Sequence, residues 1–340
     1  MRVWIYSIAI ILLAALSCRN SYEFNEQAIS LKYPSWFPKP ELPADNMPTN
    51  LRIELGRRMF YSTAFSSDQS VSCASCHTLS AAFTDGKTVS TGVHGRPGRR
   101  NAPTLANLAW MPHFMMEGGV PTLELQVLAP IADSNEMNLD ILEVATRLNQ
   151  DDYLRELSLA AYDREIDAYV ITRALAAFQR TFISGDSPYD RYEFQGKTDQ
   201  LTEAQIRGRA LFFSRQTKCG GCHTDPFLTD FDFHNIGLYE NYADPGRERV
   251  TYDPADAGKF KTPTLRNVAL TAPYMHDGSM NTLEEVVRFY NEGGKDHPNK
   301  DFRVQPMGLT PDEEADLVAF LESLTDWNFV QNANLLPLEK

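Results

Sequence analysis

Cysteine is scarce in this chain: five in 340 residues, four of them inside two copies of one short pattern. With no other cysteine pair to offer, neither copy can be completed into a four-ligand structural zinc site. Basic charge is also in short supply, with 32 Lys and Arg against 45 Asp and Glu and a formal net charge of −13. A nucleic-acid partner would demand a basic face, so that class is excluded. Docking of a basic protein stays open beside ordinary solubility. Strand-like alternation is rare, and the apolar run from Val3 to Leu16 is too short to span a bilayer.

Behind Arg2, that run reads as the core of a signal peptide, residues 1–17. It ends in Ala15-Leu16-Ser17-Cys18, which resembles a bacterial lipobox with Ala15 where leucine is usual, and so predicts a lipidated Cys18 as a membrane tether. Ordinary cleavage to a soluble protein is the alternative. Either route leads to the periplasm. Residues 18–50, rich in Pro and polar side chains, read as a tether leading to the first domain.

The duplicated pattern is Cys-x-x-Cys-His, once as Cys73-Ala74-Ser75-Cys76-His77 and again as Cys219-Gly220-Gly221-Cys222-His223. It is the attachment signature of a c-type haem, in which two thioethers hold the porphyrin and the histidine supplies a proximal iron ligand. A thioredoxin-like redox pair is the alternative. The histidine directly after both pairs favours haem, so two covalently bound haem c groups are expected.

The repeat extends beyond these motifs. Gly56-Arg57-Arg58-Met59-Phe60 before the first resembles Gly208-Arg209-Ala210-Leu211-Phe212 before the second. Downstream, Pro103-Thr104-Leu105-Ala106-Asn107 matches Pro263-Thr264-Leu265-Arg266-Asn267 at an offset of 160, a register held through Thr122-Leu123-Glu124 and Thr282-Leu283-Glu284. Fixed-offset similarity predicts two alike units. Between them the period is helical, with Ile141, Val144, Ala145 and Leu148 on one face and Ile166, Val170, Ala174, Ala177 and Phe178 on another. Thr310-Pro311-Asp312-Glu313 reads as an N-cap and first turn. The expected fold is all-α: two cytochrome c-type haem domains with long loops, residues 51–195 and 196–330, related by internal duplication.

Carried further, the offset sets Tyr290 opposite Pro130. A tyrosine can ligate iron through its phenolate, whereas proline offers no side-chain donor. The second haem can then be closed by Tyr290, while the first stays open at that position. A core aromatic and a helix terminator are the alternative reading of the pair, and Met275, Met280 and Met307 are rival ligands. Near Pro130 stand Gln126 and Glu136, polar groups suited to a peroxide pocket, where a carboxylate can move the protons that O–O cleavage requires.

These residues resemble the bacterial dihaem cytochrome c peroxidases and their methylamine-utilisation (MauG-type) relatives, over roughly Leu51 to Leu324. The resemblance implies that Gln126, Pro130 and Glu136 are the distal trio, with Glu136 as acid-base. It implies a calcium held by Asn101, Thr271 and Pro273, and a loop histidine, His94, that plugs the first iron at rest. Two departures follow. Tyr290 stands where the peroxidases usually carry methionine and MauG-type relatives tyrosine, and Met116 replaces a bridging tryptophan, with Trp110 off register.

The resemblance therefore implies a periplasmic peroxidase. Its N-terminal domain is peroxidatic, and its C-terminal domain passes electrons from a small cytochrome c or cupredoxin to hydrogen peroxide. A MauG-like oxidation of a protein or organic substrate through a high-valent dihaem state is the alternative, favoured by Tyr290. A non-catalytic dihaem electron carrier is the third reading, against which Glu136 and Pro130 speak. Relatives of this kind often form homodimers.

Overall fold

The computed structural model describes residues 22–338. The expected signal peptide, residues 1–17, and the expected lipidation site Cys18 lie outside them. The described chain is mostly helical, and its one named sheet is the antiparallel pair Phe233–His234 with Phe260–Lys261.

Two helix pairs carry two apolar cores. In the first, helix Asn50–Phe60 packs on helix Ala168–Gln179. The crossing is close: a Cβ on Gly56 would sit 1.9 Å from the Ala174 carbonyl oxygen. In the second, helix Glu203–Phe212 crosses helix Pro311–Glu322, and a Cβ on Gly208 would sit 1.9 Å from the Asp316 carbonyl oxygen. Only glycine permits either approach. Phe60, Phe83, Phe178 and Phe182 fill the first core, with the Phe83 and Phe182 rings stacked at 4.0 Å. Phe212, Leu228, Val287, Leu317 and Phe320 fill the second.

The helix signals in the sequence are met. Helix Ile141–Leu148 buries Val144, Ala145 and Leu148. Ile166 is buried just ahead of Asp167, the N-cap of the next helix. Thr310 caps helix Pro311–Glu322 in a box with Glu313, with Pro311 in the first turn.

The stretch expected as a tether behaves differently over part of its length. Phe37 is buried, with its ring 5.3 Å from Trp110 and 4.7 Å from Phe227. Trp36 stacks on Phe194 at 5.5 Å, and the Asn46 amide donates to buried Glu124 at 2.8 Å. Proline content suggests a linker, but Leu31, Trp36 and Phe37 supply enough apolar area to seat residues 31–46 on the fold.

The two repeated asparagines meet at one residue. Asn107 and Asn267 both adopt left-handed backbone, with φ of 60° and 62°. The Asn107 amide donates to the Ser184 carbonyl and the Asn267 amide to the Ser184 hydroxyl, each at 2.9 Å. Asp326 accepts from the backbone N–H of Gly185 and Asp186 at 2.8 and 2.9 Å. Segment 184–186, between the two helix pairs, is thereby fixed from both sides.

Candidate functional site

Each Cys-x-x-Cys-His motif is a single helical turn whose histidine is oriented by backbone. Ser72 caps Cys73–Cys76 in a box with Ser75, and His77 Nδ1 lies 2.7 Å from the Phe83 carbonyl oxygen. In the second motif His223 Nδ1 lies 2.9 Å from the Leu228 carbonyl oxygen. A carbonyl can only accept, so Nδ1 carries the proton and Nε2 keeps its lone pair for a metal. Burial, acting first, lowers the pKa of both rings and keeps them neutral.

The repeated Pro-Thr-Leu supplies the next layer. Thr104 Oγ1 donates to the Ala82 carbonyl, and Thr264 Oγ1 to the Phe227 carbonyl, both at 2.6 Å. Ala82 and Phe227 immediately precede the two carbonyls that hold the histidines. The repeat was visible in the sequence, but its task was not, because the contact spans 22 residues in one unit and 37 in the other.

Burial pushes the Cys73 thiol up to about 12 and Cys222 up to about 11, and raises Cys76 and Cys219 as well. A thioredoxin-like pair needs the opposite, a thiol lowered toward thiolate at neutral pH. Half-buried sulfurs on a turn that ends in a neutral histidine with a free Nε2 fit covalent haem attachment.

Glu136 comes to the first motif. Its charge acts on both Cys73 and Cys76; the residue is exposed to solvent, and partial desolvation of its carboxyl, then the nearby Asp133 carboxylate, raises its own pKa above the ordinary glutamate value. The segment leading there begins at Thr122, which caps Leu123–Gln126, and continues as Leu128–Ala132. Its counterpart behind Thr282 is one unbroken helix, Leu283–Glu292. Pro130 accounts for the difference, since it has no N–H to return to the Gln126 carbonyl. Pro130 thus interrupts the helix after Gln126 and itself lies inside the second short helix, Leu128–Ala132.

Tyr290 comes to the second motif. Burial raises its hydroxyl pKa, and Cys219 and Cys222 follow as causes. Met307 packs against the second core, and its N–H donates to the Asn291 carbonyl at 3.0 Å. Met275 holds a left-handed turn at φ 75°.

His94 sits at φ 56° on the 3₁₀ turn Val93–Gly95, with its side chain 52% exposed. Its backbone N–H donates to Asp68 Oδ2 at 2.9 Å, and Nδ1 lies 3.4 Å from the same oxygen. Bonds from Ser70 and from that N–H hold the Asp68 carboxyl down to about 2. The loop glycines divide their roles. A Cβ on Gly92 would meet the Asn135 carbonyl at 1.9 Å, so Gly92 serves close packing, whereas Gly95 at φ 71° has open space.

Of the calcium candidates, Asn101 reaches from one half of the chain to the other. Asn101 N–H donates to the His276 carbonyl at 2.9 Å and its amide to the Lys87 carbonyl at 2.8 Å, which leaves Oδ1 available. Thr271 Oγ1 donates to the Val268 carbonyl at 3.1 Å. Neutral oxygens of this kind suit a hard cation. Lys261 N–H also donates across the halves to the Met116 carbonyl at 2.7 Å, so Met116 crosses by its backbone. Trp110 lies 5.2 Å from Phe227, the residue before the His223 carbonyl partner.

One network escaped the sequence reading. His234 lies between Asp230 and Asp301, at 2.9 and 2.8 Å, while Arg303 binds Asp301 and the Gly221 carbonyl. Cys222, Asp230 and His234 have the spacing of a metal trio. Both imidazole nitrogens face carboxylates, however, which makes this an ion-pair network buttressing the second motif.

The comparisons agree with this geometry. The profile of the family described as "Di-haem cytochrome c peroxidase" matches residues 50–199. The methylamine utilization protein MauG of Methylorubrum extorquens is 37% identical over 295 residues, 85% of this chain and 83% of that protein. Cytochrome-c peroxidase IdrP1 of Denitromonas iodatirespirans is 34% identical over 360 residues, 94% of this chain and 93% of that one. Among solved structures, a MauG-like protein associated with microbial copper homeostasis superposes with a TM-score of 0.86 at 37% identity, covering 91% of this chain and 99% of its own.

Proposed function

Since this chain belongs to the dihaem cytochrome c peroxidase and MauG family and is an oxidoreductase that carries haem c, we propose that it is a periplasmic peroxidase. In this reading it reduces hydrogen peroxide with electrons that a small cytochrome c or cupredoxin delivers through the C-terminal haem. The observation that carries the reading is Glu136, a carboxyl with raised pKa, placed beside the first Cys-x-x-Cys and six residues after Pro130.

Cys73, Cys76 and His77 would hold one haem and Cys219, Cys222 and His223 the other, supplying peroxide binding and one-electron storage. Glu136 takes the proton from the inner peroxide oxygen and returns it to the departing one, so that the leaving group departs as water. Gln126 orients the peroxide by hydrogen bonding. Pro130 would bring no donor to that face, while Tyr290 would supply one to the second haem, with Met307 and Met275 as substitutes. His94 would swing from Asp68 to cover the first haem in the resting enzyme. Asn101, Thr271 and Pro273 bind calcium across the junction. We further infer that residues 51–195 and 196–330 are duplicated haem domains, that the enzyme is lipid-anchored through Cys18, and that it forms a homodimer.

A MauG-like oxidation of a protein or organic substrate is the second reading. Tyr290 beside Cys219 and Cys222 supports it, as does the similarity to a MauG-like protein. A pair of kinetic measurements separates the readings. Steady-state peroxide turnover with reduced cytochrome or cupredoxin marks the peroxidase; a long-lived oxidised spectrum after donor-free rapid mixing marks the MauG-like enzyme. Absence of any peroxide reaction would leave only the electron carrier.

A further inference from the structure

The carbonyl that orients His77 belongs to a strained residue. Ala82 and Phe83 both hold left-handed backbone, with φ of 50° and 63°. A side chain resists that conformation, so it persists only where the surroundings enforce it. At the matching place in the second unit, Leu228 alone is left-handed, at φ 54°. The backbone of the first turn is closed by the Phe83 N–H, which donates to the Thr78 carbonyl at 2.8 Å, and by Thr104 on the Ala82 carbonyl. The Phe83 ring is held by other rings. Phe182 stacks on it at 4.0 Å and 9°, Phe329 leans on it at 5.7 Å and 52°, and Phe60 stands edge-on at 6.1 Å.

Phe329 comes from the far end of the chain. It follows helix Pro311–Glu322 of the second pair, yet Phe329, Val330 and Leu335 are buried in the first core. This segment is braced along its length. Asp326 accepts from the Gly185 and Asp186 N–H groups, and its own N–H donates to Asn267 Oδ1 at 2.8 Å. Tyr61 Oη donates to the Leu335 carbonyl at 2.5 Å, and Arg57 Nη2 to the Ala333 carbonyl at 3.1 Å. Phe329 therefore meets Phe83 from a fixed strap.

We propose that Phe329 is a positioning residue for His77: with Phe182 it clamps the Phe83 ring, and the clamp keeps the left-handed carbonyl on the His77 Nδ1–H. A firm bond at Nδ1 makes the imidazole a more basic ligand. When the clamp is loosened, Phe83 relaxes, its carbonyl withdraws, and His77 becomes a weaker donor to the metal. A weaker donor favours the reduced state, so the potential at the first site rises and peroxide cleavage there slows. The inference rests on the reading of His77 as the proximal ligand of the first haem.

The test uses the full dihaem protein in the His94→Gly background, which keeps the loop histidine off the first iron. Resonance Raman of the reduced protein reads the iron–histidine stretch, and redox titration reads the potential of each haem. Phe329→Leu should lower the stretching frequency and raise the first potential, with the second haem unchanged. Peroxide turnover should fall by about 10- to 100-fold, the usual cost of disturbing a partner that orients a metal-bound histidine. Phe182→Leu loosens the same clamp and should act in the same direction. Leu157→Ala, on helix Asp152–Tyr162, opens a cavity in the same core and controls for lost stability. It should lower the thermal midpoint and leave stretch and potential alone. A stretch and potential that stay put in Phe329→Leu, or that move as far in Leu157→Ala, overturn the clamp. A background protein with no iron–histidine stretch at all removes the reading of His77 together with it.

Discussion

The backbone N–H of Val93 donates to the carbonyl of Glu136 at 2.8 Å, so the loop bearing His94 is stitched to the segment bearing the proposed acid-base. Arg96 Nη1 adds a second bond to that segment at the Ser134 carbonyl, 2.9 Å away. Movement of the His94 loop and the position of Glu136 are therefore coupled.

His94 should govern activation. If it covers the first iron at rest, the oxidised wild type is largely low-spin and sluggish until it receives one electron. His94→Gly should then be high-spin and active without pre-reduction, read from the resting absorption spectrum and initial turnover. Asp68 draws the ring the other way, so Asp68→Asn should increase the low-spin fraction. Identical resting spectra in all three proteins would leave a permanently open site.

Glu136 should set the acid limb of the pH profile. The carboxylate must be ionised to accept the peroxide proton, and its raised pKa means activity is lost on acidification sooner than for an ordinary glutamate. Asp133→Asn removes a neighbouring like charge, lowers that pKa and should shift the limb to lower pH. A limb that stays put assigns the ionisation elsewhere.

Tyr290→Phe would remove the proposed phenolate ligand with little change of shape. The expected result is a spectral change confined to the second haem and a raised reduction potential, since an anionic ligand favours ferric iron. An unchanged spectrum and potential would move the search to Met307 and Met275.

Gly208→Ala should destabilise the second helix pair. Its Cβ would lie 1.9 Å from the Asp316 carbonyl, and overpacking costs about 1–3 kcal/mol. Thermal unfolding reads this directly; an unchanged midpoint would mean that the helices separate at no cost.

Local chemistry made much of this molecule legible in its sequence. The two Cys-x-x-Cys-His motifs, the Thr310 cap and the helix face of Val144, Ala145 and Leu148 depend on neighbours within a turn or two. The roles of Thr104 and Thr264, the His234 network and the seating of Phe37 depend on partners far along the chain, for which no periodicity signals. Gly92 is instructive in another way. A glycine in a loop suggests freedom, yet this one is required because another backbone lies against it.

Glu136→Gln tests the central claim most directly. The variant should keep both haems, by absorption and mass, and bind peroxide with similar affinity. Its steady-state turnover with a reduced donor should fall by about 100- to 10,000-fold, the range for a general acid-base group. A variant retaining more than half of wild-type turnover would contradict the account and take Glu136 out of the mechanism.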